Sequence, residues 1–298
     1  MIVSTSDACS SICQLLQCTG IKHAYQALAL DERRGPFEPS LWKIKKGPQG
    51  QKPATQLVQC WFPGAHVNVG GGSSNNVVDE KAQSKPKGDA EQLATITYAW
   101  MLDRIRPHLA LDQDALNVQF APFDKMKTHD TPDVPAKAPS RGMLMSTWDY
   151  FFAPAKPLLT GYARGHIDDS FTAQYWLMGT PINRRPGKYH NVDEEFTTER
   201  IHPSVFFRQE ATKKFGDQSY TPFALQGWER VKDDKGIGRD GKVRKGWKWV
   251  KSGGEQDKQE FLWEFQIGDM PEGLSMEKRL MEGSWVDPIN LELKQGWA

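Results

Sequence analysis

The sequence predicts an α/β protein, and two neighbouring segments carry that prediction. Residues 57–62 form a nearly continuous apolar run, which is typical of a strand buried on both faces in a sheet covered by helices. Pro63 and Gly64 end this run. A polar, turn-rich stretch follows, and from Asp89 onward apolar side chains recur at helical spacing. Strand, loop and helix in this order form one βα unit.

The helix of this unit is the best defined element in the sequence. Asp89 is placed to cap its N-terminus, with Gln92 three positions later in capping-box spacing. Pro107 closes it, because proline cannot continue a helix. The apolar residues that mark its buried face are Leu93, Ile96, Trp100, Met101 and Ile105.

Three further elements follow from local patterns. Residues 23–34 contain Ala and Leu at helical spacing, which predicts a helix that ends at Gly35. Asp240-Gly241 lies between two basic runs and predicts the turn of a β-hairpin. Residues 272–281 predict a short closing helix in an aromatic-rich, mixed C-terminal extension.

Composition narrows the classes of function. The chain has 298 residues with a net charge of +1, so its charge gives no reason to expect a nucleic-acid partner. It lacks the run of about 18 apolar residues that a membrane-spanning helix needs. The N-terminus has no signal-peptide pattern, which predicts a cytoplasmic location. Cys9, Cys13 and Cys18 lack paired zinc-site spacing, and we expect no metal and no cofactor.

Proline density suggests where the chain divides. Residues 121–142 are rich in proline and polar residues, which predicts a linker or long loop. The division is then a first domain over residues 1–120 and a separate C-terminal region over residues 143–298.

His66 is the strongest candidate for chemistry. It directly follows the predicted strand, at the carboxyl end where open α/β sheets bind their ligands. Glycines at 70–72 allow backbone to pass close to a ligand. Imidazole suits proton transfer near neutral pH, so a general base is one interpretation. A histidine that only hydrogen-bonds its loop is the other.

Four blocks together carry a resemblance to a known family: HAYQALALDERRGPFEP, QCWFPGAHVNVGGG, ITYAWMLDRI and TTERIHPSVFFR. They resemble the catalytic domain of type VI secretion phospholipase effectors, and in particular fungal proteins similar to them. The resemblance implies an α/β-hydrolase fold, with residues 1–120 as the C-terminal portion of the catalytic domain. It also implies lipid or other ester substrates and assigns the triad histidine to His66. Asn68 stands where family members often carry aspartate.

The sequence lacks the motif that carries the nucleophile of such a hydrolase. A triad hydrolase of this fold carries its serine in a Gly-x-Ser-x-Gly turn, and no such pentapeptide occurs here. The nearest string surrounds Ser140 but lies in the proline-rich segment after His66, so we interpret it as coincidence.

The acid of the site and the activity of the chain stay open at this point. Asp31 and Glu32 each could orient the imidazole of His66, or could pair with Arg33, Arg34 or a loop amide. One interpretation is a partial serine hydrolase that contributes the triad histidine. The alternative is a truncated, non-catalytic member that acts as a binding or interaction module. The sequence does not indicate an oligomeric state.

Overall fold

A computed structural model describes residues 21–45, 55–71, 89–124, 162–163, 165, 167, 170–171, 175, 179–187, 195–215, 220–237, 243–252, 261–267 and 275–283. The strands of this part are β1 (His23–Ala29), β2 (Ile44–Lys45), β3 (Gln56–Phe62), β4 (Glu195–Phe196), β5 (Glu199–Ile201), β6 (Trp228–Ile237), β7 (Val243–Lys251) and β8 (Phe261–Glu264). The helices are α1 (His66–Gly70), α2 (Asp89–Ile105), α3 (Gln113–Asp124), α4 (Ser204–Phe215) and α5 (Met276–Gly283).

The main sheet has six strands in the order β1-β3-β5-β8-β7-β6. The first four run parallel, β7 pairs antiparallel with β8, and β6 pairs antiparallel with β7. A separate two-stranded sheet pairs β2 with β4. The protein is therefore a mixed α/β structure, as predicted.

The predicted helix over residues 23–34 is wrong, because residues 23–29 form strand β1. Its backbone pairs in parallel with β3, from His23 opposite Gln56 to Ala29 opposite Phe62. Ala and Leu favour helices locally, but pairing with a buried strand overrides that weak preference. Ala24 and Leu28 are buried in the core.

The predicted βα unit is confirmed in both of its parts. Strand β3 is covered on both faces, since Cys60, Trp61 and Phe62 are at most 1% exposed. Cys60 and Phe62 pack in one core cluster and Trp61 packs in the other, as alternation along a strand requires. Helix α2 spans Asp89–Ile105 and ends just before Pro107.

The C-terminal elements agree with the local patterns. Strands β6 and β7 pair antiparallel, although the predicted turn at residues 240–241 lies outside the described residues. The predicted closing helix is α5, which begins at Met276. Helix α3 ends at Asp124, so the first residues of the predicted linker at 121–142 are helical, and residues 125–142 lie outside the described part. The division into domains stays a prediction.

A fully buried histidine links the sheet to α5. Nδ1 of His202 lies 2.8 Å from the Ser204 hydroxyl oxygen, and Nε2 lies 2.8 Å from Oε1 of Glu277. Burial lowers the pKa of His202 to about 3 and raises the pKa of Glu277 well above its ordinary value. Burial thus favours the neutral form of both groups, and the contact is a buried hydrogen bond that fastens α5 to the core.

Helix α5 is also fixed at its N-terminus. The carboxylate of Asp103, near the end of α2, accepts hydrogen bonds from the Ser275 hydroxyl and from the backbone amides of Met276 and Glu277. These bonds satisfy amides that a helix leaves free at its start. The two helices therefore hold each other in place on one face of the sheet.

Replacement of Glu277 by alanine should destabilise the fold. His202 would keep a buried nitrogen without its partner, which costs roughly 1–3 kcal/mol in addition to lost packing. Urea denaturation should show this loss in the free energy of unfolding. Lys278→Ala on the same helix is the control and should change that free energy by less than about 0.5 kcal/mol. Equal stability of the two variants would show that the buried contact contributes nothing.

Candidate active site

The candidate site lies where β1 and β3 end together. Parallel neighbours finish at the same edge of a sheet, so the segments after them meet. Pairing continues past the strands: the Leu30 amide donates to the Phe62 carbonyl, and the Asp31 amide donates to the Gly64 carbonyl, both at 3.0 Å. These bonds bring residues 31–34 against the turn that precedes His66.

Gly64 gives the turn its shape. Its φ is +110°, and a Cβ at this position would lie 2.5 Å from Cβ of Asn68. Both the backbone angle and the close approach therefore require glycine. The buried Asn68 side chain accepts a hydrogen bond from the Ala65 amide at 3.0 Å. The side-chain carbonyl oxygen of asparagine can accept this hydrogen bond, which explains how the turn accommodates asparagine at position 68.

This turn presents His66 as the first residue of α1. Its Nδ1 lies 2.7 Å from Oε2 of Glu32 and also 2.7 Å from Nη2 of Arg34. The ring stacks on Phe37, with centroids 4.7 Å apart. The side chain of His66 is 29% exposed and lines a cavity. With Nδ1 engaged by these partners, Nε2 is the nitrogen available for proton transfer.

Glu32 is a buried carboxylate held by several donors. Arg34 binds it with two of its three side-chain nitrogens, Nε to Oε1 and Nη2 to Oε2, each at 2.9 Å. The Ser170 hydroxyl donates to Oε1 at 2.8 Å. Burial alone raises the pKa of Glu32, but the hydrogen bonds from Arg34, His66 and Ser170 outweigh it and lower that pKa to about 2. The carboxylate facing His66 is therefore ionised near neutral pH.

Asp31 has different partners. Its Oδ2 accepts a hydrogen bond from the Gly64 amide at 2.6 Å and another from the Tyr220 hydroxyl at 2.8 Å. Burial raises the pKa of Asp31, while these hydrogen bonds oppose the rise. The structure thus places Glu32 on the imidazole of His66 and places Asp31 on the turn beside it.

A cavity of about 490 Å³ opens beside this cluster. His66 and Glu32 lie in its wall together with Phe37 from the loop after β1. Residues of β1 and α2, among them Tyr25, Tyr98 and Met101, line the rest together with residues of the 36–42 segment, of α1, and Arg184. Its volume falls in the range typical of small-molecule sites.

Sequence reasoning missed part of this cluster. Ser170, Tyr175 and Arg184 come from distant parts of the chain, and no local motif marks them. Arg34 was visible in the sequence only as a pairing partner for the acids before it. Among the described residues, no group of three or more histidine, cysteine, aspartate or glutamate side chains is placed to hold a metal ion.

Comparison with known families agrees with the resemblance. Residues 8–104 match the family model of the catalytic domain of the type VI secretion phospholipase effector Tle1-like proteins. The match includes both β1 and β3 and therefore the Glu32–His66 cluster. The family prediction is confirmed over this segment, and the family suggests a lipase-like function with a lipid substrate.

Two further comparisons found nothing: no curated protein and no solved structure matches the chain. Within the described residues, none of the helices has both the length and the apolar character required to pass through a bilayer.

Gly64→Ala should disrupt the site turn. The added methyl meets Asn68 and the backbone angle is strained, so we expect a loss of roughly 2–4 kcal/mol in the free energy of unfolding. Gly227→Ala is the matched control, because Gly227 has φ +76° but open space around its Cβ position. Thermal or urea unfolding compares the two. A smaller loss for Gly64→Ala than for Gly227→Ala would contradict the close contact.

Glu32 should make stability depend on pH under acidic conditions. Its pKa falls from 4.5 to about 2 on folding, so it stabilises the fold above about pH 4.5, and this contribution is lost as the pH falls toward 2. The shift corresponds to about 3 kcal/mol. Glu32→Gln should lower the free energy of unfolding at pH 7. It should also make that free energy depend less on pH between pH 4.5 and pH 2, as urea denaturation at several pH values would show.

The control is Glu229→Gln, which changes an exposed carboxylate on β6. That variant should keep the acid dependence of the unaltered protein. An unchanged slope in Glu32→Gln would show that the carboxylate is not held by its partners in solution.

Proposed function

We propose that this chain supplies the proton-accepting histidine of a serine ester hydrolase that acts on lipid esters, within an α/β-hydrolase sheet. The observation that carries the proposal is the imidazole of His66 held 2.7 Å from a buried, ionised carboxylate at the rim of a cavity. The family match over residues 8–104 supports the substrate class. The carboxyl edge of parallel strands is the expected place for such a site.

The contacts define what each group would do. With a proton on Nδ1 donated to Glu32, Nε2 of His66 carries a free lone pair. Nε2 can then take the proton of an attacking hydroxyl and return it to the leaving group. The ionised Glu32 carboxylate stabilises the imidazolium that forms between these steps. Phe37 stacks on the ring and limits its rotation.

Arg34 sets a condition on this mechanism. Its Nη2 approaches both Oε2 of Glu32 and Nδ1 of His66. Nδ1 can donate to Glu32 or accept from Arg34, but the two arrangements exclude each other. The base form requires the first arrangement, in which Arg34 stays on the carboxylate and keeps it ionised.

We propose Glu32, in preference to Asp31, as the acid that orients His66. Glu32 contacts Nδ1 directly, whereas the Asp31 carboxylate binds the Gly64 amide and the Tyr220 hydroxyl. Asp31 would act as a positioning residue that fixes the turn carrying His66.

A binding module without catalysis is the second candidate function. The sequence favours it because the 298 residues contain no Gly-x-Ser-x-Gly pentapeptide. Ser140, in the nearest similar string, lies outside the described residues. Under this hypothesis the cavity binds the lipid ester and the Glu32–His66 pair contributes polar contacts.

Hydrolysis assays with the purified full chain test the proposal. A short-chain p-nitrophenyl ester and dihexanoyl-phosphatidylcholine report turnover. His66→Ala should lower kcat by roughly 10²–10⁴-fold, because the proton acceptor is lost. His23→Ala, which removes an exposed histidine outside the cluster, is the control and should keep the activity.

The same assay distinguishes the roles of Glu32 and Asp31. Glu32→Gln should reduce kcat more than Asp31→Asn does at equal folded fraction. Turnover that survives His66→Ala unchanged would refute the proposal. Absence of turnover together with lipid binding would favour the binding module.

A further inference from the structure

Arg184 is a buried cation whose bonding is incomplete. The residue is 4% exposed. Its Nη2 donates to the carbonyl oxygens of Phe37 at 2.7 Å and Arg34 at 3.3 Å. Its Nε and Nη1 are buried and have no hydrogen-bond partner among the residues that the structure describes. Among the described residues, no carboxylate lies within ion-pair distance of this guanidinium.

A structural role explains one part of this arrangement. The Nη2 bonds fasten the turn at Gly35–Phe37, which places Phe37 against His66. Those bonds need neither a positive charge nor the other two nitrogens. An unpaired buried charge is unfavourable, and burial accordingly lowers the pKa of Arg184. The unused donors therefore indicate an anionic ligand.

The surroundings leave the charge of Arg184 uncompensated. Glu32 is a buried acid that attracts Arg184, but Arg34 already binds both of its oxygens. Glu38 also attracts Arg184, yet it is exposed to water, which screens it.

Arg184 is also placed where a ligand would be. It lines the cavity of about 490 Å³ that contains His66, and it lines a neighbouring cavity of about 210 Å³. Arg184 therefore borders both cavities. Because Nε and Nη1 are covered by neighbouring atoms, the side chain must turn to present them to either cavity.

We propose that Arg184 is a specificity-determining residue that binds the phosphate group of a lipid headgroup in the cavity beside His66. The hydrogens of Nε and Nη1 point to different sides of the guanidinium, and either nitrogen can donate a charge-assisted hydrogen bond to a phosphate oxygen. The assignment of the phosphate to a lipid rests on the proposed function. The oxyanion site itself rests on the unpartnered donors.

Binding measured without turnover tests this inference. Calorimetric titration of the full chain uses three probes: monomeric dihexanoyl-phosphatidylcholine, uncharged dihexanoylglycerol and inorganic phosphate. Arg184→Gln should weaken binding of the phospholipid roughly 10- to 100-fold, as loss of a hydrogen-bonded charge predicts. It should leave the affinity for dihexanoylglycerol unchanged. Arg184→Lys should restore part of the phospholipid affinity.

Lys251→Gln is the matched control, because it removes an exposed cation on β7, far from β1 in the sheet order. It should bind all probes like the unaltered chain. A second measurement needs no variant: the Tm of the unaltered chain should rise with the phospholipid more than with dihexanoylglycerol. That comparison decides the matter if Arg184→Gln fails to fold.

Several outcomes would overturn the inference. Equal phospholipid affinity in Arg184→Gln and the unaltered chain would do so. An equal loss of affinity for dihexanoyl-phosphatidylcholine and for dihexanoylglycerol would also overturn it. Binding of inorganic phosphate without binding of the phospholipid would overturn the lipid assignment. Because none of these readouts needs hydrolysis, Arg184-dependent binding without turnover would refute the proposed hydrolase and leave this site standing.

Discussion

The parallel pairing of β1 with β3 is the constraint on which the candidate site depends. Its register places Ala29 opposite Phe62, so both strands stop at one edge. Two further backbone hydrogen bonds then hold the segments that follow. A shift of one residue would turn the side chains of β1 to the opposite face and separate Glu32 from His66. The chemistry of the site is thus a consequence of strand register.

Charge is distributed around this edge in a defined pattern. Glu32 is buried, yet it remains ionised because Arg34 and Ser170 donate to it. Asp31 is held by an amide and a phenol, which bear no charge, and burial raises its pKa. The pKa values of two adjacent carboxyl groups consequently shift in opposite directions, and the carboxyl group with the lowered pKa is the one that contacts His66. Arg184 adds a cation that these acids do not neutralise.

Local patterns predicted several elements because each depends on nearby residues. The pattern of residues 57–62 predicts a strand because both faces are apolar. The pattern of α2 predicts a helix because its apolar residues recur at helical spacing. The error at residues 23–29 has a physical reason as well. Alanine and leucine have a weak helical preference, and the hydrogen bonds to β3 exceed it.

By itself the sequence determined that His66 follows a buried strand through a Pro-Gly turn, and it indicated the family that residues 8–104 match. The tertiary structure decided which acid contacts that histidine and brought Ser170 and Arg184 to the cluster. Those choices depend on contacts between residues far apart in the chain. No local propensity encodes such contacts, because they form only when the strands pair and the core closes.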